Sequence, residues 1–364
     1  MVLKLGFTMF FKEILRIGRR FLILFCSSTL VFPKMILSNL SMPRLSGCLH
    51  IILPALLYGC SGEIRPMPSI KHCTTTLKFK VSRSESTLDI FTFEDDRLRH
   101  LDAYQRLDHM NSETIPVSST GGNKIFFLCI NSQKNRYDWG MISSYSTLQN
   151  VFCDLEYESL EKRTMTSEIH TIAGKSICIA ETLPLTSEIV VEKIGCDFSG
   201  TPYSQSVIQD LKIYLTNVCA SCPIIYNEEY KPNRIINTGG FNQTDISTFR
   251  SPDIIFRSLT EQLGMSSVSP GISLLCYPSP AQEESPGSPH TRLVLEGKID
   301  SQIYYWPITI APGSGIGRGN RYVYDILIRR KGVTDPDTPI DVKSIDIQLK
   351  TKPWIEKEDY SVSF

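Results

Sequence analysis

"TRLVLEGKI" (291–299) and "QIYYWPITI" (302–310) are two short apolar runs that lie on either side of Asp300 and Ser301. Both are rich in β-branched or aromatic residues, and short runs of this kind between turn residues are typical of β-strands. "RYVYDILIRR" (321–330) and "KSIDIQLKT" (343–351) continue the pattern towards the C-terminus. The last third of the chain therefore predicts an all-β fold.

The same pattern extends towards the N-terminus. "NKIFFLCIN" (123–131) is apolar on both faces, which predicts a central buried strand. A break near residue 200 divides the strands into two β-sandwich domains, 73–200 and 201–364. The other predicted strands of the first domain are "TTTLKFKV" (74–81), "STLDIFTF" (86–93), "KSICIAETLPL" (175–185) and "SEIVVEKIGCDF" (187–198).

One helix is predicted in the second domain. "SPDIIFRSLTEQLG" (251–264) has a serine at the N-cap position, a proline at the first helical position and a closing glycine. These residues are common at the two ends of an α-helix. We therefore expect a short helix within the C-terminal sandwich.

The first sixty residues have a different composition. A basic residue, a short apolar core and a small residue before Cys60 are typical of a secretory signal. Leu57-Tyr58-Gly59-Cys60 resembles a bacterial lipobox, which predicts lipidation of Cys60. We expect 1–59 to be a signal peptide with an N-terminal extension, translation starting at Met35 or Met42, and 60–72 to be a tether. The alternative is a Cys60 buried in an N-terminal core strand.

Charge and cysteine usage narrow the function classes. The chain has 38 basic and 38 acidic residues, so it lacks the basic surplus that nucleic-acid binding needs. Most cysteines after Cys60 lie in apolar runs, which predicts buried free thiols. "CASC" (219–222) has no second pair at zinc spacing and predicts a turn or a local disulfide.

No catalytic motif is present in the sequence. The glycine-rich "APGSGIGRGN" (311–320) lacks the Lys-Ser/Thr of a phosphate-binding loop and leads into a strand, so it predicts a turn. The six histidines form no close pair. We expect no catalytic residue, cofactor or metal ion; a secreted enzyme would need a polar cluster that the sequence does not show.

Three segments of the C-terminal third carry a family resemblance. "TRLVLEGKIDSQIYYWPITI", "GRGNRYVYDILIRRKGVTDPDTPI" and "KPWIEKEDYSVSF" resemble the FimA-type pilins and related fimbrial subunits of Bacteroidales. "LDIFTFEDD" and "GNKIFFLCIN" resemble early strands of the family's N-terminal domain. The residues that fit the C-terminal pattern are Asn320, Tyr324, Gly332, Asp335, Pro336, Asp337, Pro339 and Trp354.

This resemblance implies an outer-membrane lipoprotein precursor with two transthyretin-like Greek-key β-sandwiches. In such pilins an Arg-specific protease removes the first strand, and the C-terminal strand of another subunit fills the groove that is left. Here the removable strand would be "TTTLKFKV", and the scissile bond would join Arg83 and Ser84. The implied partners are other fimbrial subunits, the Arg-specific protease and the outer membrane, with no nucleic acid.

The C-terminal "DYSVSF" (359–364) has the alternation of a donor strand, with Tyr360, Val362 and Phe364 on one face. Two alternatives stay open: Arg83 as a charged turn residue, and "DYSVSF" as the final edge strand of its own domain. The leading hypothesis is a structural fimbrial subunit. A non-polymerising anchor and a tip adhesin are the alternatives, the adhesin using Tyr137 and Trp139 to stack on a sugar.

Overall fold

The computed structural model describes residues 72–79, 86–110, 112–133, 137–171, 177–279, 284–285, 288–338, 340 and 345–353. These residues form twenty β-strands and one α-helix, α1 (Tyr145–Gln149), together with short 3₁₀ turns. The all-β prediction is confirmed. No helix within these ranges has the length and apolar character needed to cross a bilayer.

The first part of the described chain forms a five-stranded and a three-stranded sheet. The order in the larger sheet is β3 (Leu101–Leu107), β2 (Leu88–Glu94), β5 (Lys124–Ile130), β7 (Met165–Thr171) and β9 (Leu183–Pro184). The order in the smaller sheet is β4 (Thr114–Thr120), β1 (His72–Phe79) and β8 (Ile177–Ala180). We call the two together the N-terminal sandwich.

Alternation along the strands gives this sandwich its core. Ile90 of β2 and Leu128 of β5 point towards the smaller sheet, where they join a buried cluster with Leu77 and Val117. The cluster draws residues from both sheets, so it holds them face to face. Burial of apolar surface stabilises a fold by about 25 cal/mol per Å². This cluster is therefore the main contribution to the packing of the two sheets.

The opposite face of the five-stranded sheet is covered as well. Phe91 and Phe127 pack in a second cluster with Trp139 and Tyr145, which come from the segment between β5 and β6 (Phe152–Asp154). Every residue of β5 is buried, so the prediction of a central buried strand at 123–131 is confirmed. Helix α1 begins with a capping box, in which the Ser144 and Thr147 side chains bond each other's backbone N–H.

Two four-stranded sheets form the C-terminal sandwich. One has the order β16 (Ile272–Cys276), β10 (Ser187–Cys196), β19 (Asn320–Ile328) and β20 (Ile345–Pro353). The other has the order β15 (Phe256–Ser258), β11 (Gln209–Thr216), β17 (Arg292–Ile299) and β18 (Gln302–Thr309). Three short strands complete the set: β12 (Val218–Cys219), β13 (Ser221–Pro223) and β14 (Ile235–Ile236).

Strand β10 departs from the predicted grouping. We expect 187–198 in the first domain from the sequence, but β10 pairs in parallel with β19 and antiparallel with β16. Its apolar residues Ile189 and Val191 lie in the same cluster as the C-terminal sheets. Strand pairing therefore changes from one sandwich to the other near residue 186. The division into two domains at residue 200 stays a prediction.

The helix predicted at 251–264 is wrong. The chain makes only a 3₁₀ turn at Pro252–Ile254 and then enters β15, which pairs antiparallel with β11. Ser251 makes no side-chain capping bond. The β-branched Ile254 and Ile255 are fully buried, so their contacts with the core outweigh the local end signals of a helix.

A half-buried arginine, Arg318, connects the two sandwiches. Arg318, in the loop before β19, donates to the backbone oxygens of Leu183 (2.7 Å) and Pro184 (3.1 Å) in β9. It also donates to the backbone oxygen (2.9 Å) and the hydroxyl (2.7 Å) of Thr166 in β7. Burial lowers the pKa of the Arg318 guanidinium from its usual value. Carbonyl oxygens satisfy this cation at the junction, and removing it would leave several acceptors unpaired.

A buried carboxyl group supports the same junction. The Oε1 atom of Glu158 accepts from the Tyr277 hydroxyl (3.0 Å) and the Gln133 amide (3.1 Å), and Oε2 accepts from the Thr164 backbone N–H (2.8 Å). Burial raises the pKa of Glu158, although these hydrogen bonds oppose the rise. Strands β6 and β13 pair nearby, with Cys153 opposite Cys222. The junction is therefore polar but satisfied.

Gly332 gives a steric test of the fold. A Cβ atom on Gly332 would lie 2.1 Å from the carbonyl oxygen of Tyr305 in β18, because Val333 and Tyr305 exchange backbone hydrogen bonds. We predict that Gly332→Ala lowers the free energy of unfolding by roughly 2 to 4 kcal/mol, measured by urea denaturation.

Gly264→Ala is the matched control for this substitution. A Cβ atom there would meet only Val207 Cγ1 at an ordinary 3.6 Å. Its effect should stay within about 0.5 kcal/mol. Equal effects of the two substitutions would contradict the close approach at Gly332.

Candidate functional site

Strand β1 lies in the middle of the three-stranded sheet, although it is the first strand of the described chain. It pairs antiparallel with β4, from His72 opposite Thr120 to Lys78 opposite Thr114. It pairs in parallel with β8, from Thr76 opposite Ile177 to Phe79 opposite Ala180. Both edges of β1 are therefore used, and its departure would leave two open ladders facing one another.

The inner face of β1 packs against the five-stranded sheet, in the space between β4 and β8. Leu77 is fully buried and Thr75 is 5% exposed, whereas Thr74 and Lys78 on the outer face are exposed. Small side chains on β8, Cys178 and Ala180, lie in the same buried cluster as Leu77. Without β1, the space between β4 and β8 would be an apolar groove, and the buried position of Leu77 would accept one large side chain.

One wall of this groove is fixed independently of β1. Thr120 of β4 donates its backbone N–H (2.8 Å) and its hydroxyl (2.9 Å) to Asp102 of β3. The buried Lys124 ammonium lies 3.1 Å from Asp102 Oδ2 and 2.6 Å from Glu94 Oε1. These contacts bind β4 to the five-stranded sheet, so β4 would keep its place if β1 were removed.

Hydrogen bonding determines the pKa of Asp102 in this anchor. Burial of Asp102 raises its pKa, but the hydrogen bonds from Thr120 and Lys124 outweigh burial and hold that pKa below its usual value. Because the folded-state pKa is depressed, the anchor's contribution to stability is present at neutral pH. It is lost only as the pH falls through that folded-state pKa.

The predicted processing and lipidation residues lie outside the described residues. Arg83 and Ser84 belong to the link 80–85 between β1 and Ser86, and Cys60 precedes β1 by twelve positions. Tyr360, Val362 and Phe364 follow the last described strand, β20. These assignments stay predictions.

The aromatic pair proposed for sugar stacking packs locally. Trp139 is 6% exposed, and its ring lies 5.3 Å from that of Phe91 in an edge-on contact. The Tyr137 ring lies 5.4 Å from Trp139. Trp139 therefore covers the five-stranded sheet and presents little surface to a ligand.

The cysteines follow the sequence prediction with one exception. Cys73 is exposed, while the others in the described residues are buried and free: Cys129, Cys153, Cys178, Cys196, Cys219, Cys222 and Cys276. Cys219 on β12 and Cys222 on β13 are both free thiols, so the prediction of a local disulfide in the C-x-x-C is wrong. Burial raises the pKa of Cys219 to about 11. Across the described part of the chain, no group of three or more His, Cys, Asp or Glu residues could hold a metal ion.

The signature residues of the C-terminal third have structural positions. Asp337 accepts at 2.6 Å from Arg292, a buried side chain that also binds both carboxylate oxygens of Glu284. Gly332 permits the close contact with β18 described above. Pro339 and Trp354 lie outside the described residues. No sequence pattern indicates the Thr120–Asp102–Lys124 anchor, since its members come from three separate strands.

Known structures share this arrangement of sheets. No family model matches the chain, and no curated protein sequence matches it. The solved fimbrilin of Porphyromonas gingivalis W83 superposes with a TM-score of 0.55 at 12% identity, covering 78% of this chain and 97% of the fimbrilin. This chain has the fold of a fimbrilin. The predicted resemblance to FimA-type pilins is thereby confirmed for the fold.

Two further solved proteins with this fimbrilin fold carry the name "putative cell adhesion protein". The one from Bacteroides eggerthii DSM 20697 has a TM-score of 0.58 and 12% identity, covering 78% of this chain and 96% of its own. The one from Parabacteroides distasonis ATCC 8503 has a TM-score of 0.56 and 12% identity, covering 77% and 96%.

Leu77 provides the test of how β1 is held. We predict that Leu77→Ala lowers the free energy of unfolding by about 2 to 4 kcal/mol, because it opens a cavity in the sandwich core. Hydrogen exchange should show the greatest loss of protection in β1 and β8.

The adjacent Lys78→Ala is the control, since Lys78 lies on the same strand but is exposed. Its effect should stay within about 0.5 kcal/mol. If Leu77→Ala has as small an effect as Lys78→Ala, β1 is not held by its inner face.

Proposed function

We propose that this chain is a structural subunit of a cell-surface fimbria that assembles by donor-strand exchange and has no catalytic role. The observation that supports it most is the position of β1. The first described strand occupies the middle of a sheet, with paired neighbours on both sides. The fold shared with fimbrilin and with the two adhesion proteins agrees with this assignment.

In this proposal an Arg-specific protease cuts between Arg83 and Ser84 and releases β1. The cut would expose the backbone groups of β4 and β8 and the deep position of Leu77. A strand from another subunit restores both the ladder hydrogen bonds and the apolar contacts, as in donor-strand complementation. We assign this donor to 359–364, with Tyr360, Val362 and Phe364 directed into the groove.

The route to the surface follows from the sequence. Export through the periplasm with lipidation at Cys60 would place the precursor in the outer membrane, with 60–72 as a tether to β1. Other fimbrial subunits are then the partners, in a homo- or heteropolymer. The two transthyretin-like sandwiches at 73–200 and 201–364 remain part of the proposal.

A non-polymerising anchor is the second candidate. It is favoured by the tight insertion of β1, since Leu77 is fully buried and both edges of β1 are paired. An anchor would keep β1 and remain attached to the membrane through its lipid. A tip adhesin would instead bind a host ligand as a single molecule.

Protease treatment followed by a polymerisation assay distinguishes the structural subunit from the anchor and the adhesin. We predict that an Arg-specific protease yields a chain that begins at Ser84 and forms polymers visible by electron microscopy and by size-exclusion chromatography. Arg83→Ala should block this cut and the polymerisation. Arg97→Ala should leave both unchanged, because Arg97 follows β2 and its replacement keeps the Arg83–Ser84 bond intact.

Deletion of 359–364 should allow the cut but prevent polymers, because the donor is then missing. A trimmed, intact chain that stays a folded monomer would contradict strand exchange. A chain that resists the protease and remains lipid-anchored would support the anchor instead.

A further inference from the structure

Among the described residues, β8 is an edge strand without a protecting charge or proline. In the described residues it pairs with β1 alone, and its outer face carries Ile177 and Ile179, which are 58% and 61% exposed. Its sequence, "ICIA", has no charged residue and no proline. Edge strands of natural proteins are normally blunted by such residues, because an open apolar edge recruits further strands.

The other edge strands of the larger sheets are protected. Strand β16 also lacks a charge, but four of its five residues are buried. The remaining edges carry charged residues or proline: Pro116 in β4, Asp102 and Arg106 in β3, Pro184 in β9, Arg257 in β15, Pro307 in β18, and Asp346, Lys350 and Lys352 in β20. Within the described chain, β8 is thus the edge strand of these sheets that lacks a charge, a proline and burial, and a further strand could pair with it.

The exit point of the C-terminal segment identifies the candidate. Pro353, the last residue of β20, is opposite Asn320 of β19. The preceding Gly319 lies against β9, where a Cβ atom on it would be 3.9 Å from Leu183 Cβ. Arg318 donates to the Leu183 carbonyl oxygen at 2.7 Å. The chain therefore leaves β20 beside Leu183, three positions after the end of β8.

The remaining chain is long enough to cover β8. Pro353 connects to Leu183 through Asn320 and Gly319, a path of about 15 Å for a strand spacing of about 5 Å, a Cα–Cα step of about 3.8 Å and one packing contact. Six extended residues from Leu183 back to Ile177 span about 20 Å. Residues 354–364 reach about 36 Å when extended. Leu183 itself is 47% exposed, so exposed apolar side chains lie at both ends of this path, at Leu183 and at Ile177 and Ile179, with the exposed Glu181 between them.

We propose that residues 359–364 pair with the free edge of β8 in the same molecule before processing. A segment entering from the Ala180 end runs antiparallel to β8 and extends the sheet to the order β4-β1-β8-tail. Tyr360, Val362 and Phe364 then lie on the outer face beside Ile177 and Ile179, covering both isoleucines.

One consequence rests on the proposed strand exchange. Since β8 has β1 as its described partner, loss of β1 would also loosen β8 and release the segment that it holds. The donor of each copy would be withheld until its own acceptor groove opens. The pairing itself needs no protease and no second copy.

Photo-crosslinking of the uncut chain tests the pairing. The full chain carries Arg83→Ala to prevent processing and Tyr360→p-benzoylphenylalanine as the probe. We expect crosslinks to peptides that contain 177–183, at the mass of a monomer. Crosslinks at other positions, crosslinks found only in dimers, or no crosslink would overturn the proposal.

Paired substitutions show whether the exposed isoleucines hold the segment. Ile177→Lys with Ile179→Lys should reduce the crosslink yield about fivefold, which corresponds to about 1 kcal/mol. Ile303→Lys is the control, because Ile303 is an exposed isoleucine (40%) on the edge strand β18. An equal reduction by both variants would contradict a specific contact.

Hydrogen exchange gives a measurement that does not depend on the lysine variants. Amides of Ile177–Ala180 should exchange about fivefold more slowly in the full chain than in the chain without 359–364. Identical rates would overturn the pairing. Because both experiments use uncut protein, they can fail while trimmed protein still polymerises, and the reverse also holds.

Discussion

The two-sided hydrogen bonding of β1 is the constraint on which the N-terminal sandwich depends. A strand at the edge of a sheet has one hydrogen-bonded ladder, whereas a strand in the middle has two. Here β1 separates β4 from β8, and Leu77 connects all three strands to the larger sheet. The sandwich is closed only while this position is filled, by β1 or by another strand of similar shape.

Local pattern predicted the elements better than their partners. Alternation and apolar content identified 123–131 as a central strand, and β5 is buried along its full length. End signals at 251–264 predicted a helix, yet Ile254 and Ile255 are drawn into the core and the chain pairs with β11. The helix α1 was not predicted, although Ser144 and Thr147 form a capping box at its start.

The candidate site was predictable in part. The pattern at "TTTLKFKV" predicted a strand, which the structure has as β1, and its removal stays a prediction of the family resemblance. Its flanking strands β4 and β8 are a tertiary property that no local pattern encodes. The same holds for Asp102, Thr120 and Lys124, which meet only because three strands align. At 12% identity to the solved fimbrilin, steric requirements such as the one at Gly332 explain how isolated motif residues still identify the fold.

The contacts of Arg318 have a mechanical consequence. In the proposed fibre, tension that enters one sandwich of a subunit would leave through the other. The Arg318 guanidinium donates hydrogen bonds to two carbonyl oxygens of β9 and one of β7. A force across the junction therefore acts on several hydrogen bonds at the same time, and they do not break one by one. Under such a load the subunit should act as a stiff link, with elongation arising at the joints between neighbouring subunits.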